Sequence, residues 1–155
     1  MGTEPGEAVE RVWREQGTKL WRSLVAFSGD RELASDAMAE AFAQALSRGN
    51  DVRDHARWIW RASFRIAAGE LKSRRLASMA GQSASVADMP DPVRDLVVAL
   101  RTLSPNQRAA AVLHLYADIP TREVARMLGC SQATVRVHLA QALRRLRPLL
   151  EDHDG

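Results

Sequence analysis

The stretch that decides the fold is residues 121–147, which read TREVARMLGCSQATVRVHLAQALRRLR. Val124, Ala125 and Leu128 recur at helical spacing and predict a short helix with one apolar stripe. Gly129 follows, and glycine most readily adopts the left-handed conformation that ends a helix. Ser131 can then cap a second helix. This order of residues predicts a helix-turn-helix.

The second helix of this pair has two distinct faces. Its buried face is predicted to consist of Val135, Leu139, Leu143 and Leu146. Its outward face carries Gln132, Ala133, Arg136 and Val137, with Ala140 and Gln141 further on. Short polar groups and an arginine at the start of such a helix suit base edges in a major groove. The alternative is an ordinary helical hairpin with a glycine turn, which has the same local pattern.

The composition indicates a globular, helical protein. A chain of 155 residues with 46% apolar and 26% charged residues can form one ordinary domain or two small ones. Aromatic residues are few, alanine is abundant and alternating apolar–polar runs are missing, which favours helices throughout. Because Cys130 is the only cysteine, the sequence excludes an intrachain disulfide and a cysteine-based metal site.

No segment of the sequence resembles a membrane or export signal. No apolar run approaches the roughly 20 residues needed to span a bilayer. The N-terminus is acidic and lacks the basic-then-apolar layout of a signal peptide. We therefore expect a cytoplasmic protein with no membrane partner.

Charge is distributed unevenly along the chain. Residues 57–75 hold 6 Lys/Arg against 1 Asp/Glu, and residues 93–150 hold 9 against 3. Residues 1–56 are acidic, with 7 Lys/Arg against 10 Asp/Glu. Two basic segments predict two places that meet a polyanion, although solvated basic faces without a partner are also common.

The apolar periodicity predicts further helices at about 7–28, 31–48, 55–76, 93–101 and 105–116. Asp30, Asp54 and Ser104 are the expected N-caps, and Thr121 is expected to cap the first helix of the helix-turn-helix. Pro148 is expected to stop or kink the last helix. Residues 77–92, rich in Ser, Ala, Gly, Asp and Pro, predict a flexible linker between domains at 7–76 and 93–150.

Two of these helices carry candidate functional side chains. The helix at 31–48 is predicted to bury Leu33, Ala37, Ala41, Phe42, Ala45 and Leu46. It presents Asp36 and Glu40 on its polar face, which favours a solvated or partner-facing side over a metal or acid–base pair. In the helix at 55–76, Trp58 is predicted to pack in the core. Trp60 and Phe64 are predicted to face outward among arginines, as suits stacking on melted nucleic acid.

The chain resembles the extracytoplasmic-function (ECF) group of bacterial RNA polymerase sigma factors. LSPNQRAAAVLHLYADIPTREVARMLGCSQATVRVHLAQALRRLR is similar to region 4 of that family, and ASDAMAEAF with WIWRASFRIAAGELKSRR is similar to region 2. The resemblance covers residues 10–148. It implies an all-α fold of two small helical domains joined by a flexible linker, the second containing the helix-turn-helix.

The resemblance implies three sets of site residues. Asp36, Glu40 and Phe42 fall on the helix that docks on the polymerase β′ clamp helices, with Ala39 replacing the usual Gln. The −10 element is met by Asn50 and Asp51, which lie where relatives capture a flipped base, and by Trp60, Arg61, Phe64, Arg65, Lys72, Arg74 and Arg75. The −35 element is met by Arg122, Ser131, Gln132, Ala133, Thr134, Arg136, Val137 and His138. Arg65, Gly69 and the Val137-His138 pair depart from the family pattern.

The sequence thus predicts a sigma factor that binds core RNA polymerase and directs initiation by recognising and opening promoter DNA. The implied partners are core polymerase, through the β′ clamp helices and the β flap, promoter DNA and an anti-sigma factor; the free chain is expected to be a monomer. No catalytic residue, cofactor or metal site is predicted. Two alternatives remain open, a helix-turn-helix regulator that acts without core polymerase and a sigma-like protein-interaction module.

Overall fold

The computed structural model describes residues 4–77 and 91–151. The chain divides into two compact units, residues 1–82 and 83–155. In both described ranges the regular elements are helical, which confirms the all-α prediction. No helix in these ranges is long and apolar enough to cross a bilayer.

The predicted linker falls mostly outside the described residues. The division between the units lies within the predicted segment 77–92. Three of its residues belong to helices instead, since Ala77 ends one helix and Asp91 and Pro92 begin the next. The prediction of a linker is wrong for these three positions, because the helical pattern extends to both edges of the segment.

The described part of unit 1, residues 4–77, is a three-helix arrangement in which each helix packs against the other two. It consists of α1 (Pro5–Ser28), α2 (Arg31–Arg48) and α3 (His55–Ala77), with a 3₁₀ turn at Gly49–Asp51. Gly29 ends α1 with a φ of 70°. Asp30 then caps α2, because its carboxylate accepts a hydrogen bond from the Leu33 backbone N–H at 3.0 Å.

The core of unit 1 is formed by aliphatic and aromatic side chains. Leu20, Leu24, Leu33 and Ile59 are fully buried or nearly so. Leu46 was predicted to join them, but 54% of its surface is exposed. It lies in the last turn of α2, beyond the buried positions Phe42 and Ala45. The buried stripe of α2 therefore ends at Ala45, one residue before Leu46, where it was predicted to end.

Within residues 91–151, unit 2 contains four α-helices and one π-helical segment. The α-helices are α4 (Asp91–Arg101), α5 (Pro105–Ala110), α6 (Thr121–Leu128) and α7 (Gln132–Glu151). Helix α5 continues directly into a π-helical segment, Ala111–Tyr116, and the Ala117 N–H reaches back to the Val112 carbonyl at 3.0 Å. Asp118 follows with a φ of 59°, which turns the chain toward α6. The core is centred on Val97, Leu113, Val124 and Val135.

The helix-turn-helix forms at α6 and α7, with three corrections. Pro120 rather than Thr121 occupies the N-cap position of α6. Leu143 is 41% exposed, and Ala142 takes its place on the buried face because it lies closer to the direction of Leu139 and Leu146. Helix α7 continues through Pro148 to Glu151, so the predicted stop is wrong, while the alternative of a kink at Pro148 stays a prediction. The glycine turn and the Ser131 cap are as predicted, since Gly129 has a φ of 69° and Ser131 Oγ accepts from the Thr134 N–H at 3.1 Å.

Candidate nucleic-acid interface

The exposed face of α7 contains the predicted base-reading residues. Val135, Leu139, Ala142 and Leu146 are buried, so the opposite side of the helix faces outward. Gln132, Ala133, Arg136 and Val137 are all exposed, and Val137 is 53% exposed. This geometry leaves a surface of small, apolar and cationic groups on the first two turns of α7.

The N-termini of α6 and α7 are joined by a side-chain hydrogen bond. The Thr121 hydroxyl donates to the Gln132 amide oxygen at 3.2 Å. The Ser131 and Thr134 hydroxyls lie 3.0 Å apart in the first turn of α7. Arg122 is exposed at the start of α6. Hydroxyls, backbone N–H groups and an arginine near two helix N-termini suit contacts to phosphate.

His138 and Gln141 lie at the edge of the outward face of α7, next to the rest of unit 2. His138 is half-buried, and its Nδ1 is inaccessible and has no hydrogen-bond partner among the described residues. The Gln141 amide oxygen accepts from Gln107 Nε2 on α5 at 2.9 Å. Gln141 is exposed, as its assignment to the outward face predicted, and its side chain also reaches across to α5.

Arg144 extends the outward face and was missed by the sequence reasoning. It is exposed and lies seven residues after Val137, which is two helical turns along nearly the same line. Ala133 and Ala140 lie on the same side and are also exposed. The spacing of Ala133, Val137, Ala140 and Arg144 could have identified this line once Ala142 had been placed in the core.

Unit 1 carries a second cationic surface along α3, which we call the basic stripe. Its members are exposed and follow one another at steps that keep them on one side of the helix: Arg57, Arg61, Arg65, Lys72 and Arg75. At 1.5 Å per residue the stripe runs for about 27 Å. Arg57 also pairs with Asp54 at 3.5 Å. The stripe is long enough to follow several phosphates of a nucleic-acid strand.

The aromatic residues of α3 are arranged opposite to the prediction. Trp60 and Phe64 are each only 6% exposed, and their rings stack with centroids 6.3 Å apart. The Trp60 Nε1–H donates to the Gln16 amide oxygen on α1 at 2.8 Å, so its one polar group is satisfied inside the unit. Trp58, which was predicted to be core, is only half-buried. Because α3 packs against both α1 and α2, its buried sector is wide enough to include Trp60 and Phe64.

Arg74 is held by carboxylates rather than lying in the basic stripe. Its Nη1 lies 2.6 Å from the Asp30 carboxylate at the start of α2, and its Nε lies 3.1 Å from Glu70. Burial raises the pKa of Asp30, but hydrogen bonds from the Leu33 N–H and Arg74, with the Arg74 charge, outweigh it and hold the pKa below the ordinary value. Arg74 therefore ties the end of α3 to the start of α2.

The segment 49–54 presents Asn50 and Asp51 to the outside. Both are exposed, while Val52 is buried and anchors the loop. Asp54 caps α3 by accepting from the Arg57 N–H at 3.1 Å, as predicted. The Arg48 guanidinium lies over the Trp58 ring at 5.6 Å from its centroid. The loop is thus fixed at both ends with its two predicted functional residues accessible.

The exposed side of α2 combines carboxylates with apolar groups. Asp36 and Glu40 are exposed as predicted, and Glu40 accepts from Gln44 Nε2 at 2.9 Å. Phe42 is only 6% exposed, so it is not an outward contact residue. Its ring instead supports Trp13 on α1 in an edge-to-face contact with centroids 5.1 Å apart, and Trp13 is 55% exposed.

A groove of about 310 Å³ lies beside this surface between α2 and α3. Its lining residues are Leu33, Asp36, Ala37, Glu40, Ile66, Glu70 and Arg74. Among residues 4–77 and 91–151, no three His, Cys, Asp or Glu side chains are grouped so as to hold a metal ion.

Comparison with known proteins identifies the family. The model for sigma-70, region 4 matches residues 94–146. The RNA polymerase sigma-E factor of Streptomyces avermitilis is 33% identical over 130 residues, which cover 72% of this chain and 73% of that protein. The ECF RNA polymerase sigma factor SigL of Mycobacterium tuberculosis is 27% identical over 155 residues, covering 91% of this chain and 88% of the relative.

A solved structure has the same fold. It is the sigma factor RpoE of Bartonella quintana, determined in complex with the anti-sigma factor NepR. The match has a TM-score of 0.76 and 21% identity, and it covers 92% of this chain and 98% of that one. The family match in unit 2, the relatives that extend across both units and this likeness of fold agree with one another. The chain belongs to the sigma-70 family, as an ECF-type RNA polymerase sigma factor.

Proposed function

We propose that this sigma factor reads promoter DNA at two points, the −35 element with unit 2 and the −10 element with unit 1, while α2 docks on core RNA polymerase. The observation that carries the proposal is that each unit exposes one cationic helix face, α7 in unit 2 and the basic stripe in unit 1. The acidic, partly apolar side of α2 provides a third surface of different character.

At the −35 element, α7 lies in the major groove. Gln132, Ala133, Arg136 and Val137 meet base edges, and Arg144 continues the contact toward the DNA backbone. Arg122, Ser131 and Thr134 contact phosphates near the N-termini of α6 and α7. His138 contributes only through the part of its ring that remains accessible.

At the −10 element, the basic stripe follows the phosphate backbone and the segment 49–54 meets a base taken out of the stack. The stripe supplies Arg57, Arg61, Arg65, Lys72 and Arg75. Asn50 and Asp51 offer amide and carboxylate groups to the extruded base. Trp60 and Phe64 support this surface from the core and do not touch DNA, since both rings are buried.

Docking on core polymerase uses Asp36 and Glu40 together with an apolar patch that we infer from Trp13 and Leu46. The Trp13 ring packs on Phe42, and Leu46 lies one turn after Phe42 on α2. Both members of the patch are more than half exposed. An aromatic anchor with flanking carboxylates suits a helical partner that presents apolar and basic side chains, as we infer for the β′ clamp helices. The β flap and an anti-sigma factor are further proposed partners. The chemistry of initiation stays with the polymerase, and the chain acts in the cytoplasm, where the polymerase is found.

Gel filtration with purified core RNA polymerase tests the docking surface. We expect a stoichiometric complex with the wild-type chain, weakened about tenfold or more by Trp13→Ala and measurably by Leu46→Ser. The matched control is Leu76→Ser, which removes another exposed leucine of unit 1 on α3. If no complex forms, a helix-turn-helix regulator acting alone becomes the better explanation. If the control weakens binding equally, the Trp13–Leu46 patch is not the docking surface.

Two arginine variants test the reading of the −35 element. Arg136→Ala should cost about 1–3 kcal/mol at one promoter position and relax the preference there. Arg122→Ala should weaken binding to all sequences by a similar factor, because it meets phosphate. Promoter libraries transcribed by the reconstituted holoenzyme measure both effects. An unchanged base preference in Arg136→Ala would show that this face of α7 does not read DNA.

A further inference from the structure

The turn between α4 and α5 is a dense polar cluster that reaches α7. Arg108 donates to the carbonyls of Leu100 and Leu103 at 3.1 and 3.3 Å. Arg145 on α7 donates to the Thr102 carbonyl of the same turn at 2.9 Å. These bonds hold the turn in one conformation and attach it to α7.

Gln107 makes the second attachment of this cluster to α7. Its amide oxygen accepts from the Ser104 N–H at 3.1 Å, while its own backbone N–H donates to the Ser104 hydroxyl at 3.2 Å, so the two residues form a capping box. Its amide nitrogen donates to Gln141 on α7 at 2.9 Å. Gln107 is only 9% exposed and both ends of its amide are hydrogen-bonded, while its partners Ser104 and Gln141 lie at the surface.

We propose that Gln107 is a positioning residue that sets the rotation of α7 about its own axis, and thereby aims Arg136 and Val137 at the −35 bases. The inference rests on the proposed function of α7. Apolar contacts through Val135, Leu139 and Ala142 hold α7 close but are not directional. Hydrogen bonds are directional, and the bond to Gln141 lies only one turn beyond Val137 on the same rigid helix.

Each glutamine amide has a donor end and an acceptor end, so substitutions can remove the Gln107–Gln141 hydrogen bond or preserve it. Comparing them separates the effect of this bond from a general loss of stability. Gln107→Glu keeps an oxygen for the Ser104 N–H, and its second oxygen can accept from Gln141 after the Gln141 amide rotates. Gln141→Glu keeps an acceptor for Gln107 Nε2. In the double variant two carboxylates face each other and the bond cannot form.

The measurement is the ratio of transcription from a wild-type −35 element to that from one with a single base changed, using holoenzyme reconstituted with the full chain. The ratio is used because added negative charge lowers binding to all DNA alike. We expect both single variants to keep the wild-type ratio and the double variant to lose about two- to tenfold, the effect of one hydrogen bond. A double variant with the wild-type ratio, or single variants that lose as much as the double, would overturn the inference.

A further variant tests the inference even if the double variant does not fold. Gln141→Met removes the bond, preserves helix propensity and leaves the capping box of α5 intact. It should lower the ratio to the same extent while circular dichroism shows an unchanged helix content. A wild-type ratio in Gln141→Met also overturns the inference. If the wild-type chain itself shows no preference for the −35 sequence, the proposed function of α7 fails instead, and the two failures are distinguishable.

Discussion

Ser63 lies at the centre of unit 1, completely buried, and its hydroxyl has no hydrogen-bond partner in the described part of the chain. Ser23 is buried to the same degree, but its hydroxyl donates to the Lys19 carbonyl one turn earlier at 2.7 Å. Both serines are therefore equally buried, but the Ser23 hydroxyl has a hydrogen-bond partner and the Ser63 hydroxyl has none among the described residues. A buried hydroxyl without a partner loses its hydration and gains nothing in return.

We predict that Ser63→Ala raises the free energy of unfolding by about 1 kcal/mol, because it removes an unsatisfied polar group. Ser23→Ala is the matched control and should be neutral or destabilising, since it removes a hydroxyl that is hydrogen-bonded. Urea denaturation of the full chain measures both. Equal destabilisation by the two substitutions would mean that Ser63 has found a partner.

The ion pair between Asp30 and Arg74 predicts how stability depends on pH. Because the pKa of Asp30 is lowered in the folded state, its contribution is present above the unfolded value of about 3.9 and is lost as the pH falls through the folded pKa. Asp30→Asn is the informative variant, since asparagine also caps helices but carries no charge. Unfolding measured from neutral pH down to acid should show a shallower loss below about pH 4 in the variant than in the wild type. Identical slopes would exclude the pair as a source of acid sensitivity.

At the scale of single elements, local patterns predicted some features well and missed others for physical reasons. The bounds of α2 are those predicted, because Asp30 and the glycine after Arg48 mark both ends. The sequence could not decide between a stop and a kink at Pro148, because an interior proline removes one backbone N–H and crowds the carbonyl one turn earlier without always ending the helix. The orientation of Trp60 was not predictable either, because it depends on how α1 and α2 together cover α3.

Glycines inside helices give a prediction at this scale. A Cβ on Gly17 would meet only the end of the Met38 side chain at 3.4 Å, and one on Gly69 would meet nothing within 4 Å. Gly17→Ala and Gly69→Ala should each raise the free energy of unfolding by about 0.5–1 kcal/mol, since glycine is a poor helix former. Gly29→Ala is the contrasting control and should be destabilising, because Gly29 ends α1 with a φ of 70°. Thermal and denaturant unfolding of the three variants measures these changes in stability. A destabilised Gly17→Ala would show that the Met38 side chain cannot move aside to make room for the added methyl group.

At the scale of the whole molecule, each unit encloses its own set of buried side chains. Ile59 is fully buried in unit 1, and Leu113 is fully buried in unit 2. The sequence indicated this division through the change of composition at 77–92 and the two basic segments, because each segment could be assigned to a separate run of helices. It could not indicate which apolar residues stay outside, as the exposure of Trp13 and Leu46 shows.

Because each unit has its own core, we predict that a core substitution in one unit lowers the stability of that unit alone. Ile59→Val should lower the stability of unit 1 by about 0.5–1.5 kcal/mol, and Leu113→Ala that of unit 2 by about 2–5 kcal/mol. Hydrogen exchange of the full chain, resolved by peptide, measures both units at once. Each substitution should speed exchange within its own unit and leave the other unchanged, and the double variant should show the sum of the two patterns. Faster exchange throughout the chain in either single variant would mean that the units unfold as one, and the two surfaces proposed to read promoter DNA would then share one stability.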